Sequence, residues 1–190
     1  MKTALKEIMD SALVKAKSLL EAGSRTPCFF MCKGTHGTAG FDFDDIENEE
    51  NERILGDRVY FNILGVNATE AVVALTRRVN CDLAHCSPED LETMATLQGE
   101  EALVINGESG TERVNWTLPI LRTGDGQFIE FGNPAEKTIA KEPGEDARYV
   151  AGIELQEWER DSALDQAGNL EFVAEMRKGK GLASCRGRSR

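Results

Sequence analysis

The residues of this chain best suited to chemistry are two groups of cysteine and histidine. Cys28, Cys32 and His36 recur every four residues, while Cys81, His85 and Cys86 crowd together further on. Thiolate and imidazole are the usual zinc ligands, and a structural site gathers four of them around one ion. Spacing divides the first trio. If Pro27 to Cys32 is a strand, Cys28 and Cys32 point the same way but stand ~13 Å apart, too far to share an ion with Zn–S bonds of about 2.3 Å. The arrangement that stays open is a zinc site built across two elements from Cys32, His36, Cys81 and His85. The plainer reading is that the cysteines are small apolar core residues and that no cofactor is bound.

A cysteine nucleophile needs a lowered thiol pKa beside a base, and His36 and His85 are the only histidines in the chain. Cys86 follows His85 directly, but adjacency along the backbone does not aim one side chain at the other. No Gly-x-Ser-x-Gly elbow accompanies them. A small cysteine or metal-dependent hydrolase using this Cys/His cluster is therefore the alternative, and a non-enzymatic binding module is the preferred expectation.

The run Phe41 to Glu52, FDFDDIENEENE, offers carboxylates in quantity. It is not an EF-hand: with Asp42 as first ligand, Ile46 falls at the fifth position and Glu47 where the loop's turn requires glycine. Such a run reads as a solvated acidic face, and Asp42, Asp44, Asp45, Glu47, Glu49 and Glu50 are the expected binding residues, offered to a basic protein partner. The preceding GTHGTAG has glycines at 34, 37 and 40 but lacks the Lys-Ser/Thr of a phosphate loop, and the acids after it would repel phosphate. A flexible connection is the expectation there.

Charge supports a protein partner over nucleic acid. The chain of 190 residues carries a net charge of −11, and its last thirteen residues hold Lys178, Lys180, Arg186, Arg188 and Arg190 without a single acid. The remaining body is more acidic still, so nucleic-acid backbones and anionic membranes are repelled on average. No apolar run approaches the ~20 residues of a membrane span, and Glu7 and Asp10 interrupt the N-terminus where a signal peptide needs an apolar stretch. A cytoplasmic protein is expected. Five cysteines, an odd number without repeated spacing, fit reduced thiols in that compartment.

These side chains must be positioned by a small set of elements. Leu5, Ile8, Met9, Ala12, Leu13, Ala16, Leu19 and Leu20 lie on one stripe of an amphipathic helix that Gly23 ends. PCFFMC reads as a buried strand. Leu55, Val59 and Ile63 give helical spacing over Glu52 to Leu64, weakened at Gly56 by about 1 kcal/mol relative to alanine. In the AVVALT run, Ala71, Val73 and Leu75 fall on one face and Val72 and Ala74 on the other, as in a central strand. Ser87-Pro88-Glu89-Asp90 starts a short helix. Glu101 to Phe131 then reads as a three-stranded meander turned near Glu108 to Thr111 and at Thr123 to Gly126, with Pro119 at an edge or bulge because it cannot donate to a ladder.

In order, the helix, the PxFF strand, the acidic connection, AVV, P-E-x-L, EALVINGES, WTLPI-R and G-x-F-I-x-F resemble a recurrent type of small α+β protein from bacteria and their phages. The resemblance covers about Lys2 to Pro134 and implies no reaction at particular residues. The expected fold class is α+β: a single mixed or antiparallel sheet of about five strands covered by two or three helices. Residues 1–135 form the expected globular domain, 136–177 a polar, partly helical extension and 178–190 a basic disordered tail.

Overall fold

The computed structural model describes residues 3–43, 49–78, 101–142 and 155–179. Helix α1 (Ala4–Glu21) begins at Thr3, whose hydroxyl accepts the Lys6 N–H, and buries Leu5, Ile8, Met9, Ala12, Ala16 and Leu20. Its end is a Schellman turn. Ser24 donates to the Leu19 carbonyl at 2.9 Å and Gly23 to that of Leu20 at 3.0 Å, a geometry that needs the positive φ of 94° at Gly23.

The sheet is antiparallel and holds seven strands among the described residues: β1 (Phe29–Gly34), β2 (Gly37–Asp42), β3 (Ala68–Arg78), β4 (Glu101–Ser109), β5 (Glu112–Arg122), β6 (Phe128–Phe131) and β7 (Ala135–Ala140). Their order is β2-β1-β3-β4-β5-β6, with β7 also on β5. The α+β expectation holds, and about five strands becomes seven. The two additional strands are β2, which takes up the last four residues of the GTHGTAG stretch expected as a flexible connection, and β7, formed by AEKTIA next to and within the stretch expected as a polar extension.

Strands β6 and β7 run along the same edge of β5. Thr117 pairs with Ala135 and Ile120 with Phe131, so two residues of β5 face three residues between β6 and β7. That extra residue is a bulge, and Pro119 sits opposite it. Gly132 donates to the Pro119 carbonyl at 2.9 Å. Carbonyl and nitrogen of one strand residue point to the same side, so the missing proline N–H faces the bulge, where no ladder bond is lost.

Each face of the sheet has its own core. On one, α1 covers Phe29, Val72, Ala74, Leu103, Ile105, Val114, Leu118 and Ile120. On the other, helix α2 (Glu49–Val66) sets Ile63 and Val66 against Phe30, Cys32, Phe41, Ala68 and Ala71. Both faces of β3 are buried over Ala71 and Val72, as a central strand requires. Helix α3 (Glu157–Gly179) packs on α2, where Gly65 lies so close to Leu164 that an added Cβ would stand 2.5 Å from it. Ala163 and Ala167 of α3 are buried. Small residues on both helices permit this approach. Helix α2 therefore has the sheet on one side and α3 on another, which explains why its apolar stripe is less clear than that of α1. The helix expected from Ser87 lies outside the described residues. Among the described residues no helix is long and apolar enough to cross a membrane.

Candidate functional site: the β1–β2 hairpin and its outward backbone groups

The hairpin β1–β2 turns through Thr35 and His36. Gly34 pairs with Gly37, whose φ of 121° is open to glycine and strained for any other residue. The turn's amides are spent inside the fold: His36 donates to the Val66 carbonyl at 3.2 Å and Thr35 to that of Asn67 at 3.4 Å. These are carbonyls at the C-terminal end of α2 and just beyond it, which the helix itself leaves without partners. Asn67, at φ 49°, ends the helix in the left-handed region, and its side-chain amide donates to the Thr35 hydroxyl at 3.1 Å. The glycine-rich stretch is thus a helix-capping hairpin.

The direction of every backbone group on β2 follows from this pairing. Residues 37, 39 and 41 turn their N–H and C=O toward β1, and the pattern continues into Phe43, which donates to the Cys28 carbonyl at 3.0 Å. Thr38, Gly40 and Asp42 consequently turn theirs outward. On the two faces of the strand, Thr38, Gly40 and Asp42 are exposed, whereas Ala39 is half-buried and Phe41 is buried on the α2 side. Among the described residues β2 is the last strand on this side of the sheet. Between Gly37 and Phe41 it carries no charge and no proline.

Of the expected binding residues, Asp42 closes β2 on the α1 side of the sheet, where it forms an ion pair with Lys15. Lys15 also stands 4.7 Å from the centre of the Phe29 ring. Asp44, Asp45 and Glu47 lie outside the described residues. Glu49 and Glu50 are the first two residues of α2. Behind β2, the buried Arg58 guanidinium lies over the Phe41 ring at 3.9 Å.

Cys32 and His36 differ in exposure. Cys32 is fully buried between β1 and α2, and burial pushes its thiol up to about 12, against a weaker opposing hydrogen bond from the Ala39 backbone. His36 sits in the exposed turn. Cys81, His85 and Cys86 lie outside the described residues. Among the described residues no group of three or more His, Cys, Asp or Glu side chains is placed to hold a metal.

A polar network on the meander was not anticipated. On the sheet face opposite α1, Glu108 accepts from Lys141 Nζ at 2.6 Å and from Arg113 Nε at 3.1 Å. The Glu108 and Lys141 side chains are only 5% and 2% exposed. Beside them Asn115 donates to Asn106 at 2.6 Å, and Thr117 donates to Asn115 at 3.1 Å. The signal was present in the sequence as symmetry about the Gly110-Thr111 turn, which places Glu108 opposite Arg113 and Asn106 opposite Asn115. Lys141 also donates to the Ser109 carbonyl at 3.0 Å, so the network fastens the end of β7 to the β4–β5 hairpin.

Comparison with protein-family models, curated proteins and solved structures returned no match.

Proposed function

We propose that the protein is a non-enzymatic binding module that presents the acidic segment from Asp42 to Glu50 to a basic protein partner, of the bacterial or phage kind the sequence resembles. The observation that carries this reading is the concentration of seven acids between Asp42 and Glu52, starting at an exposed sheet end. The cysteine reading loses support at Cys32, because a buried thiol held in its neutral form is a poor nucleophile.

Titration of the full chain with a labelled oligolysine peptide, at low and high salt, tests the reading. Saturable binding that weakens as salt rises is expected. Neutralising Asp44, Asp45 and Glu47 to their amides should remove most of it, while neutralising Glu130, Glu157 and Asp161 should not. No saturable binding, or equal losses in both variants, would reject the acidic segment as the binding surface.

A further inference from the structure

We propose that the partner binds as an added strand: a basic, extended peptide pairs antiparallel with the outer edge of β2. This inference rests on the acidic-module reading and specifies its mode of recognition. Thr38, Gly40 and Asp42 present outward backbone N–H and C=O groups, six hydrogen-bonding groups in all, along an exposed edge. An extended chain of about five residues spans them, with alternate residues making the ladder bonds.

The two sides of the sheet differ in how they treat this exposure. On the far side, the β6–β7 edge is interrupted by the bulge opposite Pro119 and carries the exposed Lys137, both devices that discourage a further strand. Strand β2 has neither. Its register with β1 is regular from Phe29–Asp42 to Gly34–Gly37, and its outward-facing positions before Asp42 are a threonine and a glycine. Gly40 exposes only backbone, so nothing on its side chain obstructs an incoming chain.

Charge selects the occupant. Asp42 lies at one end of the edge and the chain as a whole carries a net charge of −11, so a peptide with lysine or arginine at that end is favoured. A second copy of this chain would bring another net charge of −11 to the same edge, which opposes self-pairing.

The test uses the full chain and two blocked peptides. One alternates valine and threonine and ends in lysines, and the other has proline at alternate positions with the same lysines. The first should bind and slow amide exchange at Thr38, Gly40 and Asp42, and the second should not. Thr38→Pro removes one outward N–H and no bond to β1, so it should weaken binding of the first peptide about tenfold while circular dichroism stays unchanged. Equal binding of both peptides, without exchange protection on β2, would overturn strand addition yet leave the acidic-module reading standing. Failure of both peptides and of oligolysine would overturn the two together. Light scattering that shows a dimer paired through β2, undisturbed by the first peptide, would also overturn the proposal.

Discussion

Cys32 and Glu136 show how individual side chains in this protein respond to their surroundings. The Cys32 thiol is raised from 9.0 to about 12 by burial, so the unfolded chain loses that proton at lower pH than the folded one. The stability it contributes is complete below pH 9 and disappears as pH rises toward 12. Urea unfolding between these limits should show a loss of stability that is reduced in Cys32→Ala, and native Cys32 should resist thiol reagents until the protein unfolds. Glu136 behaves in the opposite sense. It accepts from Lys6 at 2.5 Å and from the Trp116 indole at 2.9 Å, linking β7 to α1, and the Lys6 hydrogen bond holds its carboxyl below the ordinary value of 4.5. Its contribution is present above that value and is lost as pH falls through the lower folded one. Thermal melts should therefore show wild type ahead of Glu136→Gln at neutral pH, with the gap closing in acid.

At the scale of elements, two glycines make opposite predictions. Gly34 lies where β1 meets the end of α2, and an added Cβ would stand 2.2 Å from the Val66 and Asn67 carbonyl oxygens. Those are backbone atoms already engaged by the hairpin turn, so they cannot yield cheaply. Gly34→Ala should cost about 3 kcal/mol or more, or prevent folding. Gly56 lies within α2 with nothing within 4 Å of its added Cβ, so Gly56→Ala should stabilise the protein by about 1 kcal/mol. Denaturant midpoints of the two variants would separate these outcomes. The helical weakness at Gly56 was legible in the sequence because propensity is local. The demand at Gly34 was not, because it comes from residues more than thirty positions away.

For the whole molecule, closure of the sheet depends on contacts distant in sequence. Arg122 donates to both Glu101 carboxylate oxygens, at 2.9 and 3.1 Å, and to the Arg25 carbonyl at 2.8 Å, joining the ends of β4 and β5 to the loop after α1. At the other end, Lys141 fastens the exit of β7 through Glu108. Lys141→Met should cost about 3 kcal/mol, since it leaves a buried carboxylate with less compensation. Equilibrium unfolding that showed no change would mean that β7 is held by its ladder with β5 alone.

The sequence by itself determined the amphipathic α1, its stop at Gly23, the two-faced β3, the meander's strands and the break near Pro119. Each rests on local periodicity or on a residue's own backbone limits. Only the tertiary structure decided that a glycine-rich stretch is strand β2 and a polar stretch is β7, because edge strands are specified by the neighbour they pair with more than by their own composition. It also decided which backbone groups of β2 face outward. That depends on the hairpin's register, which turns the backbone groups of Thr38, Gly40 and Asp42 away from β1.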